Sequence, residues 1–122
     1  MYRVLIVEDE LRIVAFLEKG LQQHGFETTV ATNGQEAIDR SQEAVFDLLL
    51  LDLGLPGKDG LTVIDELRKN GQTLPIVIVT AREGETTRAE SLRRGANDYI
   101  TKPFRFRDLL AKVKFQLGQK RT

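Results

Sequence analysis

The sequence predicts a single α/β domain built on an open, doubly wound parallel sheet. Its 122 residues are the length of one compact domain. Short runs rich in Val, Ile and Leu alternate along the chain with longer stretches of helical period. Three of the short runs are apolar almost throughout, which indicates strands buried on both faces, as in a parallel sheet between two layers of helices.

Five strands and a first helix follow from this alternation. The predicted strands span residues 4–7, 28–31, 47–51, 76–79 and 98–100. The first helix carries its apolar residues on one stripe and has Gly25 as its expected C-terminal cap. The stripe consists of Leu11, Val14, Leu17 and Leu21.

Four more helices are expected between and after the strands. An Asn-Gly pair precedes the helix at residues 35–43, and another follows the helix at residues 61–69. A fourth helix spans residues 86–94 and ends before Gly95. The fifth has apolar residues at i, i+3, i+4, i+7 and i+11, which are Phe106, Leu109, Leu110, Val113 and Leu117.

The order of the strands follows from their number. Five parallel strands with right-handed crossovers are too few for an eight-stranded barrel. We therefore expect the flavodoxin-like strand order 2-1-3-4-5. In that arrangement ligands bind at the carboxyl ends of the strands, in the crevice between the first and third strands.

The composition excludes several classes of protein. The chain has no cysteine, which excludes a disulfide framework, thiol catalysis and cysteine-ligated zinc or iron–sulfur sites. The apolar run near the N-terminus is too short for a signal peptide or a membrane span. We therefore expect a soluble protein of the cytoplasm.

The formal net charge is zero, but the charges are unevenly distributed. Residues 1–81 carry 7 basic and 13 acidic side chains, a balance of −6, and residues 82–122 carry 11 basic and 5 acidic ones, a balance of +6. Solvated helix faces are the favoured interpretation of the basic half. A nucleic-acid surface is the alternative, but no aromatic-rich basic strip accompanies these charges.

Polar side chains follow four of the five predicted strands. The Glu-Asp-Glu run at residues 8–10 follows the first strand, Asp52 the third and Thr80 the fourth, and Lys102 comes just after the fifth. Because the carboxyl ends of parallel strands share one edge of the sheet, these side chains are expected to converge. Carboxylates that converge repel one another unless a cation or a proton is present.

A divalent cation would relieve this repulsion. Mg²⁺ prefers one or two carboxylates, a carbonyl, waters and phosphate oxygens as ligands. Asp9, Asp52 and the Gly54 carbonyl can provide the protein's share of that set, with a phosphoryl group as a further ligand. The sequence therefore predicts a magnesium site at this edge of the sheet.

Asp52 is the candidate reactive residue. It follows the buried run of residues 48–51 and precedes a glycine-rich turn, so a rigid scaffold presents its carboxylate. Such a carboxylate can attack phosphorus and form an aspartyl phosphate, with positioning and electrostatics supplying the catalysis. Lys102 can pair with Asp52 or with a phosphoryl oxygen bound to it, and Thr80 can donate a hydrogen bond to another. The bond from Lys102 to Pro103 can be cis.

Other interpretations fit these residues less well. Residues 8–10 could simply favour the dipole of the first helix. Phosphatases of the haloacid-dehalogenase type have a second Asp two residues after the nucleophile, where Gly54 stands here. The glycine motifs of Rossmann and P-loop nucleotide sites do not occur in the sequence. A module that takes no phosphate would typically lack one of the polar residues described above.

A resemblance to a known family rests on these residues: Glu8-Asp9, Asp52, Thr80 and Lys102-Pro103. On a (βα)₅ chain, this set closely resembles the receiver domain of two-component response regulators, over essentially all of residues 1–122. Residues 52–57, 80–82 and 98–104 are most similar to the OmpR/PhoB-type subfamily, which joins the receiver to a winged-helix DNA-binding domain. We therefore expect a receiver domain at residues 1–122, with its C-terminal effector domain absent from this chain.

The resemblance implies roles for the residues at the strand ends. Asp52 would accept a phosphoryl group from a sensor histidine kinase, with Lys102 and Thr80 assisting. Asp9, Asp52 and the Gly54 carbonyl would bind Mg²⁺, and Glu8 would act mainly through water. The domain would be a regulatory phosphoacceptor rather than an enzyme, although it would promote its own Mg²⁺-dependent phosphorylation and dephosphorylation.

The resemblance also implies an output. Thr80 and Tyr99 would form a switch pair, in which the aromatic ring rotates inward behind the hydroxyl when the latter moves to the phosphoryl group. Phosphorylation would then favour a homodimer formed through the fourth helix, the fifth strand and the fifth helix, and DNA would be bound only through the effector domain. The charge pairs of that dimer would be Arg88 with Asp108 and Asp98 with Lys112, whereas a third pair does not carry over, because Arg93 and Lys114 have like charges.

Overall fold

The computed structural model describes residues 1–120 and the side chains of residues 1–118. Residues 121 and 122 of the predicted domain lie outside the described residues. The strands are β1 (Arg3–Val7), β2 (Glu27–Ala31), β3 (Leu48–Leu51), β4 (Ile76–Thr80) and β5 (Asp98–Thr101). The helices are α1 (Leu11–Gln23), α2 (Gly34–Glu43), α3 (Gly60–Lys69), α4 (Glu85–Arg94) and α5 (Phe106–Lys120).

The five strands form one parallel sheet in the order β2-β1-β3-β4-β5, so the predicted fold and strand order are confirmed. The predicted boundaries are wrong by about one residue at several ends. The helix α5 continues past Leu117, the last apolar residue of its predicted spacing, to Lys120. Gly25, predicted as the cap of α1, follows the capping residue His24 and has a φ of +85°, a conformation that favours glycine.

The sheet divides the core into two layers. Alternate strand residues pack against α2 and α3 on one face and against α1 and α5 on the other. In β3, Leu49 and Leu51 belong to the first layer, Leu48 and Leu50 belong to the second, and all four are at most 1% exposed. The prediction of strands buried on both faces is therefore confirmed. No helix in residues 1–120 is long and apolar enough to cross a membrane.

The helix α4 is attached to the domain in a different way. Ser91 is the buried residue among its ten, and Leu92 adds a partly buried contact with the core. At its carboxyl end, the guanidinium of Arg68 on α3 donates to the carbonyl oxygen of Gly95 at 2.7 Å. Polar contacts with α3 therefore contribute much of the attachment of α4.

Gly60 sets how closely α3 approaches the end of β3. A Cβ atom at this position would lie 2.6 Å from Leu53 Cα and 2.8 Å from the Asp52 carbonyl oxygen. Because both are backbone atoms, they cannot move aside as a flexible side chain would. The absence of a side chain at Gly60 therefore lets the first turn of α3 pack directly beneath Asp52.

We expect Gly60→Ala to destabilise the protein by about 1–3 kcal/mol, the usual cost of overpacking. Urea unfolding would measure the change. Gly118→Ala is the matched control, because Gly118 is also helical but, among the described residues, no heavy atom of another part of the chain lies within 4 Å of an added Cβ. That change should stabilise the protein by up to about 1 kcal/mol, the helix propensity gain of alanine. A stabilising effect of Gly60→Ala would contradict this account of the close approach.

Candidate functional site

The backbone of the sheet positions the polar residues predicted at its carboxyl edge. The ladder hydrogen bonds continue one residue past three strands: Glu8 N donates to Ala31 O at 3.0 Å, Asp52 N to Val7 O at 3.0 Å, and Lys102 N to Thr80 O at 2.8 Å. The backbone of these residues is therefore held nearly as firmly as the backbone within the strands. The structure brings Glu8, Asp52, Thr80 and Lys102 together at one edge, as the sequence predicts.

Lys102 lies at the centre of a buried ion cluster. Its Nζ atom donates to Glu8 Oε1 at 2.7 Å, Asp52 Oδ2 at 3.1 Å and Glu10 Oε1 at 3.3 Å. The side chains of Lys102, Glu8 and Asp52 are 10%, 2% and 8% exposed, whereas that of Glu10 is 64% exposed. The peptide bond before Pro103 is cis, the isomer that the sequence allows. The lysine thus compensates two carboxylates that have little contact with water.

Burial and pairing act on the pKa values of this cluster in opposite directions. Burial raises the pKa of Glu8, and this effect outweighs the opposing hydrogen bond from Lys102. Burial also acts to raise the pKa of Asp52, but hydrogen bonds from the Gly54 amide and Thr80 hydroxyl and the charge of Lys102 lower it overall. Burial acts to lower the pKa of Lys102, but its hydrogen bond with Glu8 and the charge of Asp52 raise it overall. The site thus favours an ionised Asp52 beside a protonated Lys102.

The two oxygens of Asp52 have different partners. Oδ1 accepts from Gly54 N at 3.1 Å, and Oδ2 accepts from Lys102. The hydroxyl of Thr80, itself 1% exposed, also donates to this carboxylate. The carboxylate is therefore held in one orientation before any ligand arrives.

The arrangement of carboxylates suits a hard divalent cation. Oxygens from Glu8, Glu10 and Asp52 lie within 4.8 Å of one another, and oxygen donors of this kind are those that Mg²⁺ prefers. The exposed Asp9, which was predicted as a ligand, is not in this group; Glu10 takes that place. Ligation by Asp9 and by the Gly54 carbonyl stays a prediction, as does the water-mediated role of Glu8.

Thr80 and Tyr99, the predicted switch pair, both contact the backbone of Arg82. The Tyr99 hydroxyl donates to Arg82 O at 2.7 Å, and Arg82 N donates to Thr80 Oγ1 at 3.4 Å. The ring of Tyr99 is 7% exposed and packs in the core layer under α2 and α3. Burial also raises the pKa of the Tyr99 hydroxyl. The ring therefore already lies inward, where it was expected only after the switch.

Two contributors to the site were missed in the sequence. Glu10 was considered only as part of an acidic run, although it contacts Lys102. Arg82, two residues after Thr80, pairs with Asp59 at the start of α3 at 2.7 Å. The sequence carries no spacing signal for this pair, because it joins two loops that follow different strands.

The four residues predicted at a dimer interface lie on α4, β5 and α5, and each has a charged neighbour within the chain. Lys112 pairs with Asp98 at 3.1 Å, a contact expected between two chains. Arg88 pairs with Glu85 at 3.7 Å, and Asp108 lies 4.0 Å from Arg107. A dimer that used these charges would have to exchange the contacts within each chain for contacts between chains.

The chain is similar to known proteins of one family. The family model described as "Response regulator receiver domain" matches residues 4–114. The uncharacterized transcriptional regulatory protein YkoG of Bacillus subtilis (strain 168) is 41% identical over 119 residues, which are 98% of this chain and 52% of that protein. The transcriptional regulatory protein PcoR of Escherichia coli is 35% identical over 122 residues, which are 100% of this chain and 54% of that protein.

A solved structure adds agreement in three dimensions. The BeF3-activated N-terminal receiver domain of Klebsiella pneumoniae RstA has a TM-score of 0.89 and 34% sequence identity, covering 94% of this chain and 97% of that one. The chain spans about half the length of the curated relatives it matches. The similarity therefore concerns one domain of those regulators.

We expect Lys102→Met to leave Glu8 and Asp52 buried without their cation. Removing one partner of a buried ion pair costs about 3–5 kcal/mol, so the free energy of unfolding should fall by roughly that amount at neutral pH. A divalent cation can replace part of the lost charge, so Mg²⁺ should stabilise the variant more than the wild type. Urea unfolding in Mg²⁺ and in a chelator would measure both effects.

Lys112→Met is the matched control for this change. Its ion pair with Asp98 is more exposed, at 33% and 20%. Its loss should cost less than about 1 kcal/mol and leave the response to Mg²⁺ as in the wild type. Equal costs for the two variants, or equal responses to Mg²⁺, would contradict a central role for Lys102.

Proposed function

The chain belongs to the response regulator receiver domain family, and we propose that it acts as a switch controlled by phosphorylation of Asp52. As a receiver domain of two-component response regulators it is a regulatory domain, and its curated relatives are transcriptional regulators. The observation that carries the proposal is the carboxylate of Asp52, buried and held by Lys102 and Gly54 at the carboxyl edge of the sheet.

In the proposed reaction Asp52 is the nucleophile. The donor is a phosphohistidine on a sensor histidine kinase. A bond forms between a carboxylate oxygen of Asp52 and phosphorus while the phosphorus–nitrogen bond of the donor breaks, and its electron pair stays on the imidazole nitrogen, which takes up a proton. The lowered pKa of Asp52 supports this role, because the carboxylate is ionised and needs no base to activate it.

The cofactor of this reaction is proposed to be Mg²⁺. Asp9, Asp52 and the Gly54 carbonyl would hold it, with Glu8 acting through water. When bound, it supplies positive charge that offsets the charge of the phosphoryl oxygens. The acidic group at the site supports the proposal, and the position of Glu10 in that group makes Glu10 the competing third carboxylate.

The phosphoryl group would redistribute the contacts of Lys102 and Thr80. Three new acceptor oxygens and added negative charge at Asp52 would draw the Lys102 ammonium and the Thr80 hydroxyl. Because Tyr99 already lies inward, phosphorylation would stabilise that position rather than create it. A movement of the Thr80 side chain would be transmitted to Tyr99 through Arg82, which both residues contact.

A protein donor is supported by the surface next to the site. A groove of about 450 Å³ adjoins Lys102, with Ile13, Phe16 and Phe104 among its lining residues. Phe16 is 45% exposed and Leu11, on the same helix, is 77% exposed. Exposed apolar side chains grouped beside a reactive site are typical of a surface that binds another protein. We propose that the sensor kinase binds at this groove. The sequence predicts that the chain acts in the cytoplasm, so the contact with the kinase would form there.

The proposed output is dimerisation through α4, β5 and α5, and transcriptional control through a C-terminal effector domain outside this chain. The charges at Arg88, Asp98, Asp108 and Lys112 support this face, because opposite signs on it can pair between two copies. The curated relatives support the output, since each is described as a transcriptional regulatory protein.

The phosphoacceptor is tested by intact mass after incubation with Mg²⁺ and a small acyl-phosphate donor. We expect the wild type to gain one phosphoryl group in Mg²⁺ and none in a chelator, because Asp52 is the nucleophile and the cation offsets the phosphoryl charge. Asp52→Asn should gain none. Asp65→Asn, a like change at an exposed residue of α3, is the control that should still be labelled.

Two results would count against this assignment. Labelling of Asp52→Asn at another residue would show that Asp52 is not the acceptor. Absence of labelling in the wild type, with the small donor and with a phosphorylated kinase domain, would favour an interaction module that takes no phosphate.

The metal ligands are tested by comparing Asp9→Ala with Glu10→Ala. If Asp9 is a direct ligand, its loss should weaken Mg²⁺ binding by at least about tenfold, or about 1.4 kcal/mol, and Glu10→Ala should have a much smaller effect. Isothermal titration of each variant with Mg²⁺ would measure the two constants. The reverse order would assign the third carboxylate to Glu10. If neither change affects Mg²⁺ binding, the acidic run would serve only to interact with the helix dipole.

A further inference from the structure

Arg82 joins three parts of the site through three different groups. Its carbonyl accepts from the Tyr99 hydroxyl at 2.7 Å, and its amide faces Thr80 Oγ1 at 3.4 Å. Its guanidinium Nη2 atom donates to Asp59 Oδ1 at 2.7 Å and lies 3.4 Å from Leu53 O. The backbone of Arg82 therefore contacts the switch pair while its side chain reaches across to the connection between β3 and α3.

Asp59 is itself fixed at the start of α3. Its Oδ2 atom accepts from Leu61 N at 3.0 Å and caps the helix, which leaves Oδ1 for Arg82. The next residue, Gly60, packs against the backbone of Asp52. The far end of the ion pair thus lies on the same rigid turn that positions the phosphoacceptor.

The near end of the ion pair lies on a connection with few other anchors. Gly84 precedes α4 with a φ of +108° and gives that helix no side-chain cap. Within α4, Ser91 is the buried residue. The Arg82 side chain therefore adds an ion pair that ties the connection before α4 to the start of α3.

We propose that Arg82 and Asp59 form a latch that fixes the carbonyl oxygen holding Tyr99 inward. Arg82 is then a positioning residue of the switch, since its guanidinium acts on Tyr99 through its own backbone. The inference rests on the proposed role of Tyr99 and adds the pair that sets its resting position. Because the two side chains are 42% and 40% exposed, salt can weaken the pair and release the tyrosine.

A second ion pair between α3 and α4 provides the control. Arg94 Nη1 lies 3.2 Å from Asp65 Oδ2 and fastens the opposite end of α4 to α3. This pair lies within the two helices, whereas Arg82 and Asp59 lie just before them, and it is comparably exposed, at 34% and 52%. Within the part of the chain that the structure describes, neither residue has a hydrogen bond or ion pair with Arg82 or Tyr99, so the loss of this pair should loosen α4 without moving the tyrosine.

The composition of the chain allows a direct measurement on Tyr99. There is no tryptophan, and Tyr2 and Tyr99 are the two tyrosines. In a Tyr2→Phe background, tyrosine fluorescence reports Tyr99 alone, and quenching by acrylamide measures its exposure. Asp59→Asn keeps an oxygen that can cap α3 but removes the charge. Arg82→Ala keeps the carbonyl that binds Tyr99 but removes the tether.

We expect Asp59→Asn and Arg82→Ala each to raise the acrylamide quenching constant of Tyr99, by about twofold or more. The double variant should show no further rise, because both changes break one contact. Asp65→Asn should leave the constant unchanged. In the unsubstituted Tyr2→Phe protein, the constant should rise with NaCl up to about 1 M, where the screening length falls to ~3 Å.

The latch is overturned if both single changes leave quenching unchanged, if Asp65→Asn raises it equally, or if the double variant shows the sum of the two effects. A flat response to salt would also overturn it, and that measurement needs no variant of the ion pair. The quenching measurements use neither a phosphoryl donor nor Mg²⁺. The latch can therefore be confirmed even if phosphorylation of Asp52 is not observed, and phosphorylation can be confirmed even if the latch is overturned.

Discussion

The buried contacts of Lys102 with Glu8 and Asp52 are the interaction on which the rest of the site depends. Removing two carboxylates and an ammonium from water is costly, and mutual attraction compensates only when the geometry is good. Here the three charges come from the ends of three different strands, at distances of 2.7 and 3.1 Å. The sheet must therefore hold its register closely, since a slip of one residue would turn these side chains to the opposite face.

Backbone contacts meet much of this requirement. The ladder bonds that continue past β1, β3 and β5 fix the three charged residues, and the glycine at position 60 lets α3 support Asp52 from beneath. A ligand that adds charge at Asp52 changes the competition between Glu8 and Asp52 for the ammonium of Lys102. The electrostatic interactions of the site can therefore change while its backbone stays in place.

The sequence predicts the scaffold well because the signals of the scaffold are local. Four consecutive leucines at 48–51 can only be a strand buried on both faces here, and the apolar spacing in α5 is that of a helix. The residues at strand ends follow from topology. Topology does not predict the Arg82–Asp59 pair, nor that Glu10 rather than Asp9 belongs to the acidic group. Both depend on side-chain rotamers in loops that meet only in the folded chain.

The uneven charge of the chain takes on a meaning in the folded domain. Three cations of the basic half, Arg82, Arg94 and Lys102, have acidic partners in the acidic half, so solvated helix faces account for only part of that half. Two of these pairs fasten α4 to α3, and the third compensates the proposed phosphoacceptor Asp52. Since α4 has little apolar contact of its own, its position depends on the same kind of interaction that phosphorylation would perturb. A helix held by packing would resist such a change, whereas one held by partly exposed charges can be shifted by roughly the energy that a few ion pairs contribute.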